Sequence, residues 1–328
     1  MNPPGGLDSP IRRRPPSAHS RVTSLVVAWD LHPIFGRCLP AGDPEALLFR
    51  YSSLEQGAAV ALRKSLLLSP LWAMNDPNEA AFQQVHPLTR SGSPTVRPRH
   101  IERDEWLPIR DDLNQRRRDT RIASFTRDAF EGGDTTAARA DSRGFARQTM
   151  WSHYAELGQG ICLVFDRSKL IDAAMATWGR GAFVGGEVRY HAGFNEEFAE
   201  MSMIDFDELD FDRHYGTKVV RSMFSKNADW EIEREFRLLI PDTPTITSTL
   251  PINDAVVGMV LGPKFPLFKL PTAVAVAEAF GILDNTAHAF LDSGVITLAP
   301  WKRLEDGSFG LYDDEELWAG EWGEDADG

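Results

Sequence analysis

The stretch KNADWEIEREFRLLI, Lys226 to Ile240, ends in a continuous apolar run preceded by alternating glutamates. Glu235 to Ile240 is predicted to be a strand covered on both faces, because such strands read as near-continuous apolar runs. If residues 231–236 are extended, Glu231, Glu233 and Glu235 project on one face and Ile232, Arg234 and Phe236 on the other. Three aligned carboxylates repel one another and raise their pKa values unless a cation intervenes. That cost favours a site over a solvated edge. The bland alternative is an exposed strand face neighboured by Lys226 and Arg237. A carboxylate pair here suits general-base work, metal binding or stabilisation of an oxocarbenium cation.

Outward from this stretch, apolar runs and helix signals alternate. Strands are predicted at Leu47–Tyr51, in the run LLLSPL after Lys64, and at Arg121–Thr126, Gly160–Phe165, Glu187–Tyr190 and Ala255–Leu261. Ser53, with Gln56 three residues on, opens a helix over Glu55–Lys64. Asp76, Pro77 and Glu79 form a second helix start. Further helices are expected over Thr149–Ala155, Ser168–Thr177, Glu196–Tyr215 and Pro271–Phe280. The predicted class is α+β: a single mixed α/β domain with a central, largely antiparallel sheet. Residues 1–43 read as a poorly ordered extension, 44–305 as the main domain and 306–328 as an acidic tail.

The 328 residues carry 42% hydrophobic side chains, which is enough for a sizeable core, and no run of about 18 apolar residues that a bilayer span requires. A cytoplasmic location without membrane association is expected. Cys38 and Cys162 suggest neither a disulfide framework nor a zinc site, and Cys162 reads as a small buried hydrophobe. A formal charge of −13 opposes nonspecific binding to phosphate backbones. The basic residues of Arg110–Arg121 are interleaved with Asp111, Asp112 and Asp119, and read as a solvated helix face.

Two other islands carry candidate chemistry. Arg50 stands among apolar neighbours, where a guanidinium needs an anion: a ligand phosphate or carboxylate, or an internal glutamate that pins the fold. Asp76 and Glu79 are explained by helix capping alone. Trp151, His153 and Tyr154 precede a Gly158-Gln159-Gly160 turn. These aromatics can line a pocket for a ring, or pack on the sheet with His153 hydrogen-bonded in the core. Gly158 and Gly160 shape the turn, since the pattern lacks a third glycine and enters a strand.

The segments LFRYSS, Asn75–Glu79, Trp151–Ala155 with GICLVFD, Lys226–Arg237 and VVGMVLGP together resemble the bacterial domain-of-unknown-function family 2971. More distantly, the order Arg50, Ser124-Phe125-Thr126, Glu233-Arg234-Glu235 is similar to that of ADP-ribosyltransferases. That likeness implies NAD as substrate, with Arg50 orienting its phosphates or ribose, Ser124 and Thr126 supporting it, and Glu235 holding the ribose hydroxyl. Glu233 would help activate a macromolecular acceptor, protein or nucleic acid, while Tyr154 or Tyr51 would stack on nicotinamide and His153 would line the pocket. Catalytic Glu235 and Glu233 need no metal in this scheme. A toxin or phage-defence role is what the likeness implies for biology.

Two other classes stay open. One is a magnesium-dependent nuclease or hydrolase using Asp76, Glu79, Glu233 and Glu235. The other is a noncatalytic sensor or interaction module, with Arg50 and the glutamates in an internal ion-pair network.

Overall fold

The computed structural model describes residues 47–76, 103–128, 142–192, 220–241, 249–252, 254–292, 294–304 and 308–310. The strands in chain order are β1 (Leu47–Ser52), β2 (Ser65–Leu67), β3 (Ser69–Pro70), β4 (Arg121–Arg127) and β5 (Ile161–Asp166). Next come β6 (Val184–Glu187), β7 (Arg189–His191), β8 (Ser225–Asn227), β9 (Glu235–Ile240) and β10 (Thr249–Pro251). The last are β11 (Val256–Leu261), β12 (Thr286–Asp292), β13 (Val295–Pro300), β14 (Lys302–Arg303) and β15 (Phe309–Gly310). The longer helices are α1 (Leu54–Arg63), α2 (Arg103–Asp119), α3 (Gln148–Tyr154), α4 (Arg167–Trp178) and α5 (Leu270–Phe280).

The main sheet runs β13-β12-β11-β5-β1-β4-β9-β6, with β3 paired to β4 off this path. Its pairs are antiparallel except β11 with β12, so the α+β class and the largely antiparallel sheet are as the sequence predicts. Successive strand residues point to opposite faces, and both faces are covered. One core joins Leu48, Phe125, Leu163, Phe165 and Phe236 to α1, α4 and α5 through Leu54, Leu170 and Val276. The other joins Phe49, Tyr51, Cys162 and Val164 to α3 through Met150 and Trp151. Double coverage explains why every residue of β9 is buried.

Local signals explain most boundaries. Ser53 Oγ accepts the Gln56 N–H at 3.1 Å and caps α1, while Asp166 Oδ1 accepts the Lys169 N–H and caps α4. Gly281 ends α5 at φ 67°. LLLSPL divides into β2 and β3, which pair with β10 and β4 respectively. The predicted Glu187–Tyr190 strand divides around Val188 into β6 and β7. Arg117 of α2 departs from the expected solvated face: it is buried, with Nη1 3.5 Å from Ser222 Oγ. The expected helix over Glu196–Tyr215, residues Pro77 and Glu79, and the extension 1–43 lie outside the described residues. Phe309, within the predicted tail, stacks on Trp301 with centroids 5.0 Å apart. Among the described residues no helix is long and apolar enough to cross a membrane.

The feature that positions the site is a fork between β1 and β4. These strands pair only at Leu48–Arg127 and Phe49–Thr126, whereas Ile122 and Arg121 at the other end of β4 pair with Ser69 and Pro70 of β3. Across the gap, Arg50 Nη1 donates to the Ser124 carbonyl at 2.9 Å. The strands therefore remain coupled through a side chain where the backbone ladder stops.

Beside the fork, Asp128 pins the turn into the second core. Its Oδ1 accepts the Gly144 N–H at 2.6 Å, its Oδ2 lies 3.3 Å from Arg143, and the Gly144 carbonyl accepts the Tyr51 hydroxyl. A Cβ on Gly144 would stand 2.1 Å from the Phe49 ring, so only glycine fits there. Burial outweighs Arg143 and Gly144 and pushes the Asp128 carboxyl up to about 6, from an ordinary 3.8. Folding thus favours its protonated form. That contribution is complete below about pH 4 and is lost as pH rises through about 6, worth about 3 kcal/mol. Asp128→Asn is expected to remove this slope, read as the difference between mutant and wild-type urea stability from pH 4 to 7. Parallel curves for the two proteins would contradict the assignment.

Candidate functional site

The fork opens into a cavity of about 380 Å³. The eight residues that the ADP-ribosyltransferase likeness points to lie on its wall: Arg50, Tyr51, Ser124, Thr126, His153, Tyr154, Glu233 and Glu235. Strand β1 delivers Arg50 and Tyr51, β4 delivers Ser124 and Thr126, and the start of β9 delivers Glu235. The C-terminal turn of α3 brings His153 and Tyr154. The register explains part of this convergence, because Thr126 stands opposite both Phe49 of β1 and Glu235 of β9.

The glutamates reach the cavity by a different route from the one expected. Residues 231–234 are not extended: Ala228–Glu233 form a 3₁₀ turn capped by Asn227, and the strand begins only at Glu235. Between them Arg234 adopts the left-handed conformation, φ 44° and ψ 55°. Glu231 is consequently exposed and leaves the cluster, while Glu233 and Glu235 are buried and converge on one cation. Lys226 Nζ stands 2.6 Å from Glu233 Oε2 and 3.5 Å from Glu235 Oε2. Arg237 binds both oxygens of Glu235, Nε to Oε1 at 2.8 Å and Nη2 to Oε2 at 2.7 Å.

These partners decide the electrostatics. Burial alone pushes the Glu235 carboxyl up, but Arg237, then Lys226 and Ser124, reverse this and hold it below the usual range. Ser124 contributes by proximity, since its Oγ makes no hydrogen bond of standard geometry. Glu235 is therefore an anion at neutral pH and is unsuited to donating a proton. Tyr154 Oη donates to Glu233 Oε1 at 2.5 Å, and burial followed by the Glu233 charge raises its phenol well above the ordinary range. Tyr190 Oη accepts the Glu235 backbone N–H at 2.8 Å, and burial raises its phenol too.

Arg50 does not take the internal carboxylate considered for it. Among the described residues no carboxylate lies within ion-pair distance of it; Glu235 is felt only at longer range. Burial lowers its pKa to about 10, and Phe125 lies beneath it at 5.8 Å, so a cation persists at neutral pH. Among the described residues the buried hydroxyls of Ser124 and Thr126 also have no hydrogen-bond partner of standard geometry. Buried hydroxyls of this kind are costly when dry.

Tyr51 and His153 have other surroundings than expected. Tyr51 is buried, commits its hydroxyl to the Gly144 carbonyl and meets Trp151 edge-on at 4.9 Å, whereas Tyr154 is half-buried at the wall. His153 is exposed at the rim, which removes the reading of a core histidine. Asp76 is buried but is not on the cavity wall, and Glu79 lies outside the described residues. The four-carboxylate magnesium cluster is thus not assembled among the described residues. Lys226, Arg237 and Tyr190 were not among the candidates; the first two flank the glutamates in sequence, and that proximity was the available signal.

The left-handed link at Arg234 is testable. A non-glycine residue in this conformation costs about 1–2 kcal/mol. Arg234→Gly is expected to match or exceed wild-type stability by up to about 1 kcal/mol, whereas Arg234→Val, branched at Cβ, is expected to lose at least about 1 kcal/mol. Equal denaturation midpoints for the valine variant and wild type would contradict this geometry.

No curated protein and no solved structure gives a significant match to the chain. Residues 150–238, from α3 into β9 and so including His153, Tyr154, Lys226, Glu233, Glu235 and Arg237, match the family described as "Protein of unknown function (DUF2971)".

Proposed function

We propose that this chain is an NAD-dependent ADP-ribosyltransferase-like enzyme. The observation that carries the reading is the placement of Arg50, Ser124 with Thr126, and Glu235 on the adjacent strands β1, β4 and β9, around one cavity. In this reading the bond between nicotinamide and ribose breaks and its electron pair leaves with neutral nicotinamide. The ribose passes through an oxocarbenium-like state, and an acceptor nucleophile adds to it and gives up a proton. An ionised, immobilised carboxylate at Glu235 suits this chemistry: it accepts a ribose hydroxyl and lowers the energy of developing positive charge. Arg50 supplies a cation for the pyrophosphate. On the wall itself Arg50 and Lys226 balance Glu233 and Glu235, and both glutamates are in contact with Lys226 or Arg237, so the charge left to favour an anionic ligand is that of Arg50. Tyr154 offers a ring for nicotinamide. The acceptor is a macromolecule, and a toxin or phage-defence effector is the setting that the family likeness implies.

A noncatalytic module is the second reading. The observation favouring it is that Glu233 and Glu235 already have internal partners in Lys226 and Arg237. The magnesium-dependent hydrolase has less support, since those same cations occupy the oxygens a metal would need.

Chain incubated with labelled NAD and cell extract is expected to release nicotinamide and attach label to an acceptor. Glu235→Gln, which keeps the shape but not the charge, is expected to reduce the rate at least about 100-fold, the scale seen when a transition-state electrostatic partner is lost. Circular dichroism and a melting curve establish folding of the variant. An unchanged rate removes Glu235 from the mechanism, and inert wild-type protein favours the noncatalytic module.

A further inference from the structure

We propose that Arg237 is a positioning residue that fixes the Glu235 carboxylate in one orientation at the cavity wall. This rests on the reading of Glu235 as the working carboxylate, and extends it to a residue outside the cavity. Arg237 is fully buried and is not part of the wall, so it reaches a ligand only through Glu235.

The geometry is that of a clamp. Register pairs Thr126 with Glu235 and Ser124 with Arg237, which puts the two charged side chains on one face of β9, two residues apart. Nε and Nη2 of Arg237 each take one carboxylate oxygen, and Nη1 donates to the Met223 carbonyl at 2.5 Å. Three nitrogens of one planar group are thereby anchored, and the carboxylate plane is fixed with it. Lys226 does not duplicate this role, being closer to Glu233 at 2.6 Å than to Glu235 at 3.5 Å. An ionised carboxylate offers about four acceptor sites. Arg237 uses two and Lys226 one, which leaves about one for a ligand hydroxyl.

The charged and titratable groups facing Glu235 come from every side: Lys226 of β8, Arg50 of β1, Tyr154 of α3, Tyr190 of β7 and Glu233 in the preceding turn. Arg237, on β9 itself, opposes the burial of the carboxylate more than any of them. Without it a buried carboxyl titrates upward, and only the ionised form accepts the hydroxyl.

The test uses Arg237→Met and Arg237→Lys in the full chain, each checked for folding by its melting curve. The Glu235 carboxyl is followed by ¹³C NMR of glutamate-labelled protein, with its resonance assigned through Glu235→Gln. Wild type is expected to show no titration of this signal between pH 5 and 8, whereas Arg237→Met titrates within that window. In NAD turnover, the acid limb of the pH profile is expected to move up by about one unit or more in Arg237→Met, with rate regained at high pH. Arg237→Lys keeps a charge but loses the two-point grip; it is expected to lower kcat at least about tenfold with little change in KM. If Arg237→Met does not fold, the lysine variant decides through the same split. Loss of activity equal at all pH values, with an unmoved resonance in folded Arg237→Met, overturns the proposal, as does wild-type kcat in Arg237→Lys. Should wild-type protein leave NAD intact, the NAD reading fails by itself, and the resonance still decides whether Arg237 governs Glu235.

Discussion

Burying two carboxylates beside each other is affordable only with cations in direct contact, and much of the site follows from that constraint. Glu235 is anchored by Arg237 at the start of β9, every residue of which is buried, and Glu233 is anchored by Lys226. The left-handed residue Arg234 lets both glutamates turn towards these cations, because an extended chain would have carried the preceding turn away from Lys226. The tyrosines complete the arrangement: Tyr154 donates to Glu233, and Tyr190 accepts the Glu235 backbone N–H. Tyr190 and Lys226 are register partners of β7 and β8, so one short parallel pair delivers both to the same place.

The second constraint is the fork. A sheet whose strands paired along their full length would present Arg50 and Ser124 on a closed surface with no room for a ligand. Because β1 leaves β4 after two residue pairs, a cavity opens there and Arg50 spans it. One guanidinium nitrogen closes the backbone gap; the charge itself remains without a neighbouring carboxylate among the described residues. Arg50 is thus both a structural bridge and the group most in need of an anion.

Much of the sheet was legible in the sequence, since β5 and β11 are apolar runs and β9 ends in one, which double coverage makes conspicuous. The caps at Ser53 and Asp166 are local chemistry within one turn of chain, and the first of them was readable from its Ser-x-x-Gln spacing. The eight candidate residues line one cavity, a convergence set by strand register that their types and order alone do not establish. The strand Glu235–Ile240 is where the sequence places it, but the condition that residues 231–236 are all extended is not met, because alternation of Glu with Ile and Arg imitates a strand over what is a turn. Only the tertiary pull of Lys226 and Arg237 on the two glutamates selects the turn and the left-handed link. Arg237 stands in the sequence only as a neighbour of the glutamates, since one sequence does not distinguish a buried arginine from an exposed one. The fork was invisible for a related reason: strand pairing between residues 49 and 126 is a long-range property of the fold.

The central claim is that the fork holds NAD, with its pyrophosphate at Arg50 and a ribose hydroxyl at Glu235. The most direct measurement is a calorimetric titration with an NAD analogue whose nicotinamide–ribose bond cannot break, so that binding is read without turnover. The account predicts saturable binding of one molecule per chain, lost in a folded Arg50→Gln variant. Absence of binding to wild type, or binding that survives unchanged in Arg50→Gln, would contradict it.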